Sequence, residues 1–376
     1  MQDTIIKKDG TSRFLKTPAN MPTTYDAWRA QLLAGTATMD IGLNPDGCTV
    51  VGTPLNKANL LTDTTKTALE LTGDATVNEA LYALRKKIPS AVLNVHTEAG
   101  VVVTATKDSR SFNATANSDG IAVLYPDEIG TWLLSATINE KAIVLPYNIT
   151  AIATFDVSMV TSLEDASWAL ISANAEAGTA ATIWSVGDTK TIQVGSESYI
   201  AQIIGFEHDT KTAGGKAGIT FQLVNCTNTR AYIDGVSMYT GGWKDSDMRT
   251  TTMAAYFNSL SEDLKTVIKP VNKQTSADYQ ATTLDITSER LFLLSEVEIM
   301  GSAIHSASSS EGKQYAWYAA GNSKLKKVND SIDYWWTRSH DNEASRKFCA
   351  VNKSASTSTF GADITNEYGV SFAFCV

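Results

Sequence analysis

The sequence predicts a multidomain α+β protein with three parts: short helices over residues 1–90, a β-sandwich over 91–160, and a C-terminal α+β domain over 161–376. A chain of 376 residues, 43% apolar and 19% charged, is long enough for several domains and too apolar to be disordered. The hydrophobic spacing changes from helical to alternating near Leu93. The composition changes again between Thr161 and Asp165.

The N-terminal part has helical spacing in short segments. Residues 1–22 carry no sustained periodicity and are expected to form an extended arm, whereas residues 25–32, 54–71 and 76–88 each place apolar groups on one helical face. Helices this short cannot bury their apolar stripes alone, so they must pack on each other or on copies of themselves. A homotrimer would satisfy that need.

Period-two alternation begins at Leu93 and predicts a small β-sandwich with Trp132 in its core. The predicted strands are separated by tight polar turns and cover residues 101–106, 111–115, 121–124, 131–137 and 149–157.

The C-terminal part mixes both periods. A helix is expected at residues 167–175, then a hairpin turning at Gly195, a strand at 218–224, and helices between Asp247 and Ile268. The apolar residues 291–300 are expected to add strand material.

Composition argues against several classes of partner. The net charge of −9 is spread without a basic block, so no stripe of Lys and Arg is present to neutralise phosphates, and nucleic acid is not expected as a partner. Residues 1–13 lack the apolar core of a signal peptide, and no stretch reaches membrane-spanning length, so we expect synthesis and folding in a cytoplasm without membrane insertion. The glycines at 214–218 lack the Lys-Ser/Thr of a phosphate-binding loop, and no cofactor is expected.

The four cysteines, Cys48, Cys226, Cys349 and Cys375, have no metal-like spacing, so no metal site is predicted. Cys349 and Cys375 lie on predicted strands and would pair if those strands were neighbours. Buried free thiols are the alternative, and they suit a protein folded in reducing conditions.

No residue is predicted to be catalytic. Glu296 and Glu298 would share one face of a strand, as a glycosidase pair requires, but a structural salt bridge explains them more simply. The four histidines have no serine or cysteine partner in a recognisable frame.

The segment from Tyr334 to His340, with two adjacent tryptophans, precedes about thirty polar residues and is typical of a recognition face. Because side chains alternate along a strand, we expect one of Trp335 and Trp336 to be core and the other partly exposed. Arg338 would either clamp a ligand carboxylate or pair with an internal one such as Asp247.

Two resemblances concern the first two domains. Residues 40–44, 52–61 and 74–78 resemble the N-terminal module of tail and baseplate proteins from phages of Gram-positive bacteria, which implies attachment to a virion. Residues 117–122, 130–132 and 135–137 resemble immunoglobulin-like spacer domains of surface and phage proteins.

A third resemblance covers the C-terminal domain. It resembles a family of uncharacterised function from gut bacteria and their phages, which is similar to the C-type-lectin-like fold of formylglycine-generating-type domains. The matching segments are residues 184–188, 202–209, 241–249, 294–298, 311–315, 335–339 and 369–372.

In phage receptor-binding proteins of similar fold, the region equivalent to residues 339–366 displays the ligand surface. The resemblance therefore implies ligand-binding residues Trp336, His340, Asp341, Asn342, Arg346, Asn352, Lys353, Ser356, Thr357, Asn366 and Tyr368. All of these residues except Trp336 would otherwise belong to a solvated loop, and Trp336 would otherwise lie in the core. The Trp336-Thr-Arg-Ser339 stretch lacks the oxygens of the calcium-lectin signature, and Cys349 and Cys375 lie in no formylglycine-generating motif.

The expected function is that of a phage tail fibre or baseplate protein in the virion. Its C-terminal domain would bind a host cell-surface glycan or protein, and its N-terminal part would bind other tail proteins. The alternatives are a purely structural baseplate component and a tip that cleaves glycan.

Overall fold

A computed structural model describes residues 5–8, 11–14, 67, 70, 71, 79, 83, 91–233, 241–280, 282–354 and 359–376. The chain separates into two compact units. One comprises residues 1–91 with 125–129, and the other comprises residues 92–124 with 130–376. The larger unit contains both strands and helices, so the α+β class is observed.

In the first unit, strands β1 (Ile5–Lys8) and β2 (Thr11–Phe14) pair as an antiparallel hairpin, where the sequence predicted an extended arm. Thr67, Glu79 and Ala83 are helical, as expected at those positions. The rest of the predicted N-terminal helices lies outside the described residues.

The second unit opens with two sheets where the sequence predicts a β-sandwich, and we call this part the sandwich. Their strands are β3 (Val92–His96), β4 (Val102–Lys107), β5 (Arg110–Thr115), β6 (Ile121–Leu124), β7 (Gly130–Ile138), β8 (Lys141–Ile149) and β9 (Thr154–Ser158). One sheet has the order β6-β3-β9 and the other β5-β4-β7-β8.

Alternation builds the sandwich core. Along β7, Trp132, Leu134, Ala136 and Ile138 are buried while the residues between them face outward, the pattern of a strand with one covered face. Trp132 is fully buried and packs against Phe112 at 5.5 Å between ring centroids. The predicted core position of Trp132 is confirmed.

The C-terminal part has two five-stranded sheets. The first has the order β10-β11-β12-β23-β16, from strands β10 (Thr189–Val194), β11 (Glu197–Phe206), β12 (Ile219–Leu223), β16 (Leu291–Phe292) and β23 (Ala373–Cys375). The predicted hairpin is confirmed: β10 and β11 pair around Gly195, whose φ of +64° suits glycine.

The second sheet has the order β13-β22-β19-β20-β21, from strands β13 (Thr229–Arg230), β19 (Trp335–His340), β20 (Lys347–Val351), β21 (Thr359–Asp363) and β22 (Tyr368–Gly369). Two hairpins accompany the sheets: β14 (Val271–Ser276) with β15 (Leu284–Glu289), and β17 (Lys326–Val328) with β18 (Ser331–Asp333).

The helices of this part are short. They are α1 (Trp168–Glu176), α2 (Ala180–Ile183), a 3-10 turn (Trp243–Asp245), a π-helix (Met248–Met253), α3 (Ala254–Ser259), α4 (Glu262–Val267), α5 (Glu296–Met300) and α6 (Ala316–Ala319). The expected helices near 167–175 and 247–268 are confirmed. Within the described residues, none of these helices is long and apolar enough to cross a bilayer.

The segment Glu296–Met300, expected to be a strand, is a helix. Ser295 accepts a hydrogen bond from the Glu298 backbone N–H, and the Glu298 side chain accepts one from the Ser295 N–H. This capping box starts the helix despite the β-branched residues that follow.

The sandwich and the C-terminal part are joined by buried polar contacts. The Asn174 side chain on α1 accepts from the Val144 N–H at 3.1 Å and donates to the Val144 carbonyl at 2.9 Å. Lys141 also donates to the Ile183 carbonyl at 2.6 Å. The sandwich is therefore fixed to the C-terminal part and is not a loosely tethered spacer.

Candidate functional site

Strand β19 begins the region that the sequence predicted to display the ligand surface. All six of its residues are buried, because it is the central strand of its sheet and both faces are covered. Trp335 and Trp336 donate their indole N–H groups to the carbonyls of Lys324 and Arg230 at 2.9 and 2.8 Å. The expectation that one of the two is exposed is wrong, and Trp336 does not lie on a ligand surface.

Arg338, also on β19, has a structural role. Of the two alternatives for this residue, pairing with an internal carboxylate is the one observed. Its guanidinium binds both carboxylate oxygens of Glu298 and donates to the carbonyls of Leu293 and Glu311. Burial alone would lower the pKa of Arg338, but the Glu298 carboxylate raises it above the usual value. The internal carboxylate is thus Glu298, where the sequence suggested Asp247.

His340 and Asp341 were predicted to contact ligand, but both are fully buried. His340 packs at 4.5 Å from Phe348, and its Nδ1 lies 3.0 Å from the Asp341 carbonyl. Burial lowers the pKa of His340. Both residues lie beneath the surface, which corrects the prediction.

The remaining predicted residues lie nearer the surface. Asn342 and Lys353 are exposed, whereas Arg346, Asn352, Asn366 and Tyr368 are half-buried. Arg346 pairs with Asp363 at 2.6 Å, which lowers the pKa of that carboxyl to about 2. Ser356 and Thr357 lie outside the described residues.

Three half-buried rings, Tyr334, Phe360 and Tyr368, form what we call the aromatic face. Their centroids are 5.0 Å apart for Tyr334 with either partner and 6.0 Å for Phe360 with Tyr368. Tyr368 also packs at 4.9 Å on the buried Trp336. The core tryptophan therefore supports the exposed rings from below.

Polar groups border the aromatic face. The Lys353 ammonium lies 4.7 Å from the Tyr334 ring centroid and 3.5 Å from an Asp333 carboxylate oxygen. The Asn366 amide donates to the Tyr368 hydroxyl at 3.1 Å. Of the three rings, only that of Tyr368 was predicted to bind ligand. Tyr334 comes directly before the buried strand β19, a position that is well placed for partial exposure.

A second candidate lies around a buried charge cluster. Lys273 on β14 bonds to Asp209 and, at 3.0 Å, to Glu298, and the Tyr315 hydroxyl donates to Asp209 at 2.8 Å. Burial would raise the pKa of both carboxyls, but Lys273 lowers that of Asp209, and Arg338 followed by Lys273 lowers that of Glu298. Both carboxylates are therefore ionised and neutralised by cations.

His208 completes this cluster. Its ring stacks on Tyr315 with centroids 3.9 Å apart, and burial lowers its pKa. One ligand atom from each of His208, Asp209 and Glu298 lies within 4.8 Å of the others, a spacing that suits a metal ion. The Lys273 ammonium bonds to both carboxylates, so a positively charged side chain already neutralises them where a metal ion would do so.

The cysteines of the C-terminal part are buried free thiols. Cys226, Cys349 and Cys375 are unpaired, and Cys349 and Cys375 lie in different sheets. Burial raises the pKa of all three thiols, which leaves them protonated. The free-thiol alternative is confirmed for these three residues.

The fold and surface thus define an α+β protein with a half-exposed aromatic face and a buried charge cluster. Residues 221–376 match the family described as a domain of unknown function (DUF6273). The match begins in β12 and contains the aromatic face, while β10 and β11 of the same sheet precede it. No curated protein matches the chain.

Proposed function

We propose that this protein is a phage tail fibre or baseplate protein that binds a host cell-surface glycan or protein through the aromatic face of its C-terminal domain. The aromatic face itself is the observation that carries the proposal. Half-exposed tyrosine and phenylalanine rings give contact area at low entropic cost, and the bordering Lys353 and Asn366 give hydrogen bonds.

Rigidity beneath the face supports a recognition role. Tyr368 rests on the fully buried Trp336, whose indole is held by the Arg230 carbonyl. A surface that is already ordered loses little conformational entropy when it binds.

The face is small and open, so each copy would bind weakly. In the proposed homotrimer, three faces on one fibre would act together, and the second and third contacts would form at high effective concentration. Light scattering of the full chain tests this part of the proposal, because a monomer would remove the multivalent contribution.

Binding of the labelled full chain to host cells tests the function. Phe360→Ala is expected to weaken cell binding by about tenfold or more, since it removes one of the three rings of the face. Tyr125→Ala is the matched control, because Tyr125 is an exposed aromatic residue of the other unit.

Lys353→Glu provides a second variant that leaves the rings in place. Its control is Lys327→Glu, at an exposed lysine on β17.

If the wild-type chain binds virion proteins but no host cell, the structural alternative replaces this proposal. If Phe360→Ala and Lys353→Glu both bind cells like wild type while melting normally, the aromatic face is not the binding surface.

A further inference from the structure

A groove of about 700 Å³ opens over the buried charge cluster. Its walls come from the end of β11, from β14 and β15, and from the loop at residues 310–313. This volume lies in the range of small-molecule sites. We propose that the groove binds an acidic saccharide unit, a polyhydroxylated ring that carries a carboxylate or a phosphate.

The charge of the groove favours an anion. The buried cations Lys273 and Arg338 offset the buried carboxylates Asp209 and Glu298, as described above. The exposed charged residues of the wall are two lysines, Lys216 and Lys313, against one carboxylate, Glu207. The groove thus carries one positive charge in excess within a chain of net charge −9.

The two lysines remain available to a ligand. Lys216 donates to the His208 carbonyl at 2.8 Å and the Thr210 hydroxyl at 3.2 Å, which leaves one of its three N–H groups free. Lys313 is exposed and has no ion pair within the described part of the chain. Ammonium groups of this kind bind carboxylate and phosphate oxygens with charge-assisted hydrogen bonds.

Neutral polar groups suit the hydroxyls of a sugar. Asn272 and Gln274 on β14 both line the groove and are exposed. With its pKa lowered, His208 is neutral near pH 7, so its imidazole offers one donor and one acceptor. Amide and imidazole groups can both donate to and accept from a sugar hydroxyl.

The backbone at the groove is unusual at two positions. Glu207 has a φ of +47°, a left-handed conformation that is uncommon for residues other than glycine and occurs often at ligand sites. Gly312 has a φ of +114°, and a Cβ there would lie 2.8 Å from a Glu298 oxygen. The loop backbone therefore closes directly onto the buried carboxylate.

Calorimetric titration of the full chain with four probes tests the proposal: glucose, glucuronate, glucose 6-phosphate and inorganic phosphate. We expect glucuronate or glucose 6-phosphate to bind at millimolar concentration, and to bind more tightly than glucose and inorganic phosphate. Lys313→Ala should weaken that binding by about tenfold, because it removes a charge-assisted hydrogen bond.

Two further variants test the charge argument. Glu207→Gln should strengthen binding of the acidic sugar, because it removes the one exposed carboxylate of the wall, whereas Lys327→Ala outside the groove should leave it unchanged. Thermal melting verifies that each variant is folded. The proposal is overturned if neither acidic sugar binds, if glucose binds equally well, or if Lys313→Ala binds like wild type. Inorganic phosphate binding as tightly as glucose 6-phosphate would also overturn it, since the sugar would then contribute nothing.

Discussion

Arg338 and Glu298 form a fully buried ion pair. The burial of such a pair determines how much a substitution lowers the free energy of unfolding. Replacing Arg338 by Met leaves Glu298 with Lys273 as its remaining cation and leaves the Leu293 and Glu311 carbonyls without this donor. We expect the free energy of unfolding to fall by about 3–5 kcal/mol, as for other broken buried pairs. Urea denaturation measures this change.

Arg346→Met is the matched control for Arg338→Met. It removes an arginine that also pairs with a carboxylate, Asp363, but at a half-exposed position. Solvent screens such pairs, so little change in stability is expected. Equal losses from the two substitutions would contradict the structural role assigned to Arg338.

Lys326 makes stability depend on pH in the alkaline range. Its buried ammonium donates to the carbonyls of Leu223 and Val224, and burial lowers its pKa to about 8. Below pH 8 both the folded and unfolded chains bind this proton, so the cost of the buried charge is fully present. Between pH 8 and 10.5 the unfolded chain binds more protons, so this residue makes stability rise with pH.

The corresponding variant is Lys326→Met. The wild-type free energy of unfolding, relative to this variant, should increase by up to about 3 kcal/mol from pH 7.5 to 10.5. Denaturant titrations at both pH values measure the difference. A constant difference between the two proteins would show that Lys326 does not titrate in this range.

Single residues were the hardest feature to predict from the sequence. The pattern around Trp335 indicated a recognition strand, but alternation assumes one covered face, and β19 is covered on both. Burial of His340, the last residue of β19, follows from the same cause, whereas the buried Asp341 comes directly after the strand. The ion pair of Arg338 with Glu298 joins residues forty positions apart, and spacing along the chain gives no indication of such a contact.

At the scale of elements, the caps of the short helices differ in a way that can be tested. Ser295→Ala removes the capping box of α5 and the hydrogen bond from the Ser295 hydroxyl to the Glu311 carbonyl, so the protein should lose about 1–2 kcal/mol of stability. Ser261→Ala is the control, because Ser261 also precedes a helix, α4, but its side chain makes no capping hydrogen bond. Urea denaturation should separate the two; equal effects would argue against the capping box.

The prediction of elements succeeded where the signals were local and failed for helix α5. Strands of the sandwich and the β10–β11 hairpin followed from alternation and a glycine turn, which are local signals. Helix α5 was mistaken for a strand because it contains Val297 and Ile299, although Ser295 and Glu298 have the capping-box spacing. A five-residue helix is too short for hydrophobic periodicity to identify it.

At the scale of the whole molecule, Asn174 links the sandwich to the C-terminal part. Asn174→Ala would leave the Val144 N–H and carbonyl without their partner, at a cost of about 2 kcal/mol. We expect calorimetry to show the sandwich and the C-terminal part unfolding at more widely separated temperatures in the variant than in the wild-type protein. A single transition in the variant would mean that other contacts keep the two parts cooperative.

The predicted division into domains rested on two changes along the sequence. A change of hydrophobic period near Leu93 marked the predicted start of the sandwich, and a change of composition between Thr161 and Asp165 marked that of the C-terminal domain. The polar attachment between them was not predictable, since Asn174 resembles any other helix residue in the sequence.

The placement of Lys273 between Asp209 and Glu298 has one further consequence. Many proteins that bring two carboxylates together need calcium or another dissolved ion to hold them, and they loosen when that ion is chelated. Here the counter-ion is tethered to the chain and cannot diffuse away. The C-terminal domain should therefore melt at the same temperature with and without EDTA, and dilution into ion-poor water should not open this part of the fold.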